Sequence, residues 1–207
     1  LFFKLRPSYV FSTTLHINLI SILLKKILLH INFKLIIRES NPSFFRNDVN
    51  KFLKILIKLS YNHSDHIICL SEFVENDIKK NINIKNTKIS TIYNPININE
   101  ILIKSNLNKD LNFSKKEFNL IYTGRLSVQK NVMLLVDVIK NIKNLNIKLK
   151  IIGNGEHYNE LKRKIKLNKL KNKIEIIDFQ KNPYPYIKNS DLFLLPSKWE
   201  GFGHVIA

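Results

Sequence analysis

Phe118-Asn119-Leu120-Ile121-Tyr122-Thr123-Gly124-Arg125-Leu126 is an apolar run that stops at a glycine followed by a cation. Phe118 to Tyr122 has the length and composition of a buried strand, Gly124 supplies the turn, and Leu135, Val138, Ile139 and Ile142 then recur at helical spacing. The pattern repeats downstream. Lys148 to Ile152 is a strand, Gly153-Asn154-Gly155 a turn, and Tyr158, Leu161 and Ile165 one face of a helix. Ile174 to Ile177 predicts another strand, Tyr184 to Lys188 a short helix, and Leu192 to Leu195 a strand ended by Pro196. Strands alternating with helices across short polar turns specify an α/β fold with parallel sheets covered by helices. Such sheets place ligands at the carboxyl ends of strands, where Gly124, Gly153 and Gly201 all fall.

The same alternation runs upstream. Tyr9 to Ser12 predicts a strand, and Leu19, Ile20, Leu23, Leu24, Ile27 and Leu28 a helix. Phe33 to Ile37 predicts a second strand, ended by the polar turn Arg38-Glu39-Ser40-Asn41-Pro42. Val49, Phe52, Leu53, Leu56 and Ile57 mark a helix face, and His66 to Leu70 a strand, after which Ser71 is placed to cap the next helix. Ile89 to Tyr93 closes this series at Asn94-Pro95. From about Asn97 to Glu117 the pattern weakens into Asn, Lys and Ser, an expected inter-domain connection. Two domains are therefore expected, 1–105 and 106–207.

Composition narrows the class. The 207 residues are 44% hydrophobic and 24% charged, which is ordinary globular material. Cys69 alone makes neither a disulfide scaffold nor a multi-cysteine zinc site. The apolar run Ile17 to Leu24 is interrupted by Asn18 and followed by Lys25-Lys26, far short of a membrane span. The net charge of +18 comes mostly from lysine, so it reads first as solvated surface and second as a match for an acidic partner. The chain starts at Leu1 and stops at Ala207 inside a new apolar run, so both ends read as cuts in a longer protein.

Three segments carry candidate chemistry. Gly124-Arg125 ends a strand and Lys130 precedes a helix, a pairing of cations with a helix terminus that suits a diphosphate. Gly153-Asn154-Gly155-Glu156-His157-Tyr158 half matches the dinucleotide fingerprint G-x-G-x-x-G, with Asp178 at the end of the next strand. Tyr158 replaces its third glycine, which favours a plain tight turn. Pro196-Ser197-Lys198-Trp199-Glu200-Gly201-Phe202-Gly203-His204 sets a carboxylate between an aromatic residue and two glycines, just ahead of an expected helix. Glu200 can accept from sugar hydroxyls, and the glycines let backbone N–H groups approach an anion or a sugar oxygen.

Taken in order, Gly124-Arg125-Leu126 with Lys130-Asn131, Lys150-Ile151-Ile152-Gly153-Asn154-Gly155, Ser190 to Ser197, and Trp199-Glu200-Gly201-Phe202-Gly203 resemble retaining glycosyltransferase family 4. Ser64 to Ser71 and Ile92-Tyr93-Asn94-Pro95 are similar to that family's segment ahead of the linker. The resemblance implies a GT-B fold, two Rossmann-like domains with parallel sheets, both incomplete here. Residues 1–105 would be the later part of the acceptor-side domain, and 106–207 the earlier part of the nucleotide-sugar donor domain. It implies Arg125 and Lys130 on the donor diphosphate and Glu200 as the first glutamate of a Glu, seven residues, Glu motif. Gly124, Gly153, Gly201, Phe202, Gly203 and His204 would line the donor. The second glutamate would fall beyond Ala207.

The family histidine that faces the donor sugar after the second strand is absent, which leaves Arg38, Glu39 or His16 as acceptor-side cleft residues. The implied reaction moves a sugar, by family habit from a UDP-hexose or UDP-N-acetylhexosamine, to a glycan or lipid-linked acceptor of the cell envelope with retention. It calls for no metal and no cofactor, and no Asp-x-Asp pair is present. The expected setting is cytoplasmic, at the inner face of the membrane, with peripheral contact to anionic lipid and no nucleic acid. An NAD(P)-dependent oxidoreductase using Gly153 to Asp178, or a non-enzymatic basic protein binding nucleic acid or membrane, are the alternative readings.

Overall fold

The structure is a computed structural model and describes residues 2–85, 87–107, 111, 113–142 and 145–206, with Phe2 and Phe3 as backbone. Its contacts divide the chain into two compact units. Unit 1 is Leu1–Pro95 together with Trp199–Ile206, and unit 2 is Ile96–Lys198.

Unit 1 runs α1 (Phe2–Leu5), β1 (Tyr9–Thr13), α2 (Leu15–Ile27), β2 (Lys34–Glu39), α3 (Lys51–Ser60), a 3-10 turn (Tyr61–His63), β3 (His66–Cys69), α4 (Glu72–Asn81) and β4 (Lys88–Thr91). The four strands are parallel, in the order β1-β2-β3-β4. Leu35, Ile37 and Glu39 alternate onto the covered face of β2, where Ile57, Tyr61, Val74 and Ile78 pack over the first two. Asn50 and Ser71 accept from the backbone N–H groups of Leu53 and Val74, capping α3 and α4 with side chains. Cys69 lies inside this core, and burial pushes its thiol up to about 12, so it packs as a small apolar residue.

Unit 2 contains α5 (Ile98–Ser105), β5 (Phe118–Thr123), α6 (Met133–Asn141), β6 (Ile147–Ile152), α7 (Tyr158–Leu167), β7 (Ile174–Ile177), α8 (Tyr184–Lys188) and β8 (Leu192–Phe193). Its parallel sheet has the order β7-β6-β5-β8. The chain therefore builds outward from β5 in one direction and then returns to its other side, which makes the end of β5 a topological switch point. Tyr122, Leu126, Val136, Leu149, Ile151 and Leu161 are fully buried at the centre of its core.

Several expectations shift. β2 continues through Arg38 and Glu39 instead of turning there, because the carboxylate of Glu39 finds internal partners and can follow Leu35 and Ile37 inward. β4 stops at Thr91 and β8 holds two residues, since only Leu192 and Phe193 pair with Leu120 and Ile121. The expected connection over Asn97–Glu117 contains α5, capped by Asn97 and packed on α8. The division at 105/106 assigns α5 to the first domain, but it packs inside unit 2. Residues 108–110 and 112 of that connection lie outside the described residues, as do the end residues 1 and 207. A turn occupies 204–206, where a helix was expected. Among the described residues no helix is long and apolar enough to cross a membrane.

Candidate functional site

In unit 2 the two glycine turns pack backbone against backbone. A Cβ added at Gly153 would lie 2.0 Å from the carbonyl oxygen of Gly124, and Gly153 has φ +148°, so only glycine serves there. Gly124 N–H donates to the Ile152 carbonyl at 3.0 Å, and Leu126 N–H to Asn154 at 3.0 Å, which locks the two turns together. Tyr122, fully buried, donates its hydroxyl to the carbonyl of Arg125 at 2.8 Å and holds that residue's backbone. Its side chain is left exposed at the end of β5.

The result is a cavity of about 390 Å³ at the carboxyl ends of β5 to β7, lined by Thr123, Gly124, Arg125, Gly153, Asn154 and Lys181 among others. Lys130 is half-buried in the turn before α6, outside that lining. Neither α6 nor α7 has a side-chain cap on its first turn.

The dinucleotide reading of Gly153–Tyr158 loses its physical basis. A Cβ on Gly155 would meet the Leu126 carbonyl oxygen at 2.4 Å, and that same oxygen accepts the His157 N–H at 3.0 Å. The glycine and the start of α7 are thus occupied by the Leu126 backbone, where a pyrophosphate would need to sit. Asp178, the candidate ribose acid, is engaged by the hydroxyl of Tyr158, whose proton it holds more tightly than usual.

Unit 1 gathers the other candidates. Glu39 is 2% exposed and accepts from Tyr61 at 2.5 Å, from Asn18 at 2.9 Å and from Ser43 at 3.0 Å. Asn18 in turn accepts from Ser12 at 2.8 Å and donates to the Arg38 carbonyl at 3.0 Å. Burial raises the Glu39 carboxyl above its ordinary range, against the lowering effect of those three donors. His16 and Glu39 line one cavity of about 400 Å³ with Ser40, Asn41, Ser43 and Arg46. Arg46 also pairs with Asp48, holding that carboxyl below its usual range, and lies 5.6 Å from the ring centroid of Trp199.

Arg38 and His204 meet through Asn94. The guanidinium donates to the Asn94 amide oxygen, so the amide nitrogen faces the ring of His204, whose Nε2 must then accept. Phe202 packs between Tyr93, at 5.9 Å between ring centroids, and His204, at 5.0 Å. A Cβ on Gly201 would lie 1.6 Å from the Ser40 carbonyl oxygen, so this glycine seats the turn directly on the end of β2. Gly203 adopts φ +68°, and Glu200 is half-buried beside it.

The predicted residues therefore form two groups. Gly124, Arg125 and Gly153 share the unit 2 cavity, while His16, Arg38, Glu39 and the Gly201–His204 turn gather in unit 1. Arg46 and Asn94 went unread as site residues. Asn94 carried a signal in its Asn-Pro strand stop, whereas Arg46 sits in a loop with no periodicity to mark it.

Comparison with known proteins bears on both units. Residues 103–207 match the family described as Glycosyl transferases group 1, and residues 3–100 match Glycosyltransferase Family 4. The chain is 32% identical over 177 residues to the N-acetylgalactosamine-N,N'-diacetylbacillosaminyl-diphospho-undecaprenol 4-alpha-N-acetylgalactosaminyltransferase of Campylobacter jejuni, covering 84% of this chain and 47% of that protein. It is 34% identical over 160 residues to the capsular polysaccharide biosynthesis glycosyltransferase CapH of Staphylococcus aureus, covering 73% of this chain and 41% of CapH. The chain thus spans less than half the length of these relatives. Among solved structures, Anabaena Alr3699/HepE in complex with UDP has a TM-score of 0.74 at 17% identity, over 96% of this chain and 56% of that one. That likeness establishes the α/β fold with two parallel sheets as the GT-B type.

Proposed function

The chain belongs to the group 1 glycosyl transferases, and from that premise we propose that it is part of an enzyme moving a sugar from a nucleoside diphosphate to an acceptor hydroxyl. The acceptor is a glycan or lipid-linked saccharide of the cell envelope, in keeping with the diphospho-undecaprenol and capsular polysaccharide in its relatives' names. A UDP-hexose or UDP-N-acetylhexosamine is the donor, and the anomeric configuration is retained.

The observation that carries this reading is the Gly124–Arg125 turn. It lies at the switch point of unit 2, its backbone is locked by Gly153, and its exposed guanidinium borders a cavity of about 390 Å³. Arg125, helped by Lys130, neutralises the charge that grows on the departing diphosphate as its bond to the anomeric carbon breaks. The acceptor oxygen bonds to that carbon from the same face, and its proton passes to a diphosphate oxygen. Glu200 accepts from hydroxyls of the donor sugar, and the backbone N–H groups of the Gly201–His204 turn offer donors to sugar and phosphate.

Arg125→Ala in the full-length enzyme should cost about 3 kcal/mol of transition-state stabilisation, roughly a hundredfold in turnover. The urea unfolding midpoint should stay where it is, since the side chain is exposed. Near-wild-type turnover of this variant with UDP-sugars would remove the assignment.

A further inference from the structure

We propose that Asn94 is a positioning residue that holds His204 in its Nδ1–H tautomer, so that the ring offers a neutral N–H to an oxygen of the sugar nucleotide. The inference rests on the reading of the Gly201–His204 turn given above and adds a side chain to it. Its premise is the direction of the hydrogen bonds. A guanidinium can only donate, so Arg38 fixes Oδ1 of Asn94 as the acceptor and turns Nδ2 towards Nε2 of His204. The amide nitrogen can only donate in its turn, and Nε2 must be bare to receive its hydrogen. The proton of the neutral ring then sits on Nδ1. An imidazolium, protonated at both nitrogens, would set two donors face to face.

Each step of this relay is braced. Arg38 belongs to β2 and pairs in register with Thr13 on one side and Ile68 on the other. Its carbonyl accepts from Nδ2 of the buried Asn18 at 3.0 Å. Asn94 precedes Pro95, and a proline ring disfavours helical backbone for the residue before it, which narrows the directions open to the amide. Phe202 stands edge-on to the His204 ring, with 5.0 Å between centroids and 76° between planes, and limits its rotation. His204 itself is exposed, and its Nδ1 makes no hydrogen bond among the described residues. Nδ1 is also the ring nitrogen fewer bonds from the main chain, so its N–H joins the backbone N–H groups of the same turn. A fixed, uncharged N–H is matched to a single hydroxyl or phosphoryl oxygen, because it adds direction where a cation adds charge.

Long-range proton–nitrogen NMR spectra of the full-length enzyme, isotope-labelled at histidine and taken at about pH 8, where imidazole is neutral, tell a protonated ring nitrogen from a bare one. Loss of signals in His204→Gln identifies the ring. Wild type should carry its proton on Nδ1. Asn94→Asp, whose carboxylate accepts from both Arg38 and the ring, should move it to Nε2. In turnover, His204→Ala should raise KM for the UDP-sugar about tenfold with kcat changed less, and Asn94→Ala should raise it about threefold. The double variant should lose no more than His204→Ala alone, since Asn94 acts through the ring. Weakened binding of UDP as well would assign the oxygen to the diphosphate, and weakening confined to the UDP-sugar would assign it to the sugar. A proton on Nε2 in wild type, one tautomer shared by wild type and Asn94→Asp, or additive losses in the double variant would overturn the inference while the transfer reading stands. A wild type that binds no UDP-sugar would instead remove the transfer reading, and the role of the ring with it.

Discussion

The carboxyl edges of the two sheets solve the same local problem in opposite ways. In unit 2 the ends of β5 and β6 are emptied by glycine. The backbones of Gly124 and Gly153 touch, Arg125 projects, and a cavity opens beside them. In unit 1 a cavity of about 400 Å³ also lies at the end of β2, but side chains tie its wall together. Glu39 is sunk among Tyr61, Asn18 and Ser43, Arg38 is tied to Asn94, and the Ser40 carbonyl carries Gly201. Helix starts vary within each unit, with side-chain caps on α3, α4 and α5 but none on α2, α6 and α7. Strand order differs as well, since unit 2 reverses at β5 and the described strands of unit 1 run in sequence. Both edges thus keep a cavity, one walled by glycine turns and an exposed cation, the other by a buried carboxylate in a side-chain network.

Substitutions at the two edges should separate these arrangements, and the largest effect is expected at the glycine edge. Gly153→Ala drives a methyl group into the Gly124 carbonyl at a φ that side chains avoid, and should destabilise the protein by roughly 4 kcal/mol in urea unfolding. A loss under 1 kcal/mol would show that the turn yields, and that the contrast between the edges is weaker than drawn.

Next comes the unit 1 edge. Glu39→Ala strands three donors in the core and should cost about 3 kcal/mol. Glu39→Gln keeps the shape and removes the charge, so pH becomes the informative axis. The folded-state carboxyl titrates above its ordinary value of 4.5. Folded protein therefore holds the proton in a range where unfolded chain has lost it, and wild-type stability falls as pH rises through that range. The glutamine variant lacks this fall, so the stability difference should move in its favour as pH is raised from about 4 to about 8. Urea midpoints across that range measure it, and a parallel pair of curves would mean that Glu39 is not penalised by its burial.

The smallest effect belongs to the helix starts. Ser71→Ala removes the cap of α4 and should cost about 1 kcal/mol by thermal melting. A His157→Ala change at the start of α7, where no side chain caps, should cost less. Equal losses would erase the distinction between capped and open helix starts.

The periodic parts of the molecule were readable in advance. β7 and α8 match their predicted bounds, and β1, β5 and β6 match theirs to within a residue. Elements without a periodic signal were not. α5 has no buried residue and is held by Asn97, by Glu100 with Lys104 and by its contacts with α8, so hydrophobic spacing over Asn97–Glu117 was a poor guide to it. Of the site, Gly124-Arg125 was legible because a glycine that ends a buried strand is a local signal. Glu39 was read as part of a turn, because nothing near it in sequence announces Asn18 or Tyr61 as its partners.

By itself, the sequence determined the alternation of strand and helix, the parallel pairing this implies, and the glycine stops at the ends of β5 and β6. These follow from side-chain spacings of two and 3.6 residues and from glycine's backbone freedom, all properties of short segments. Only the tertiary structure decided that β5 is flanked by β6 and β8, that Glu39 is buried, and that Arg38 reaches His204 through Asn94. Those contacts join residues 56 and 110 positions apart. They exist because packing the sheet brings distant segments together, and a buried charge survives only where such segments supply its hydrogen bonds.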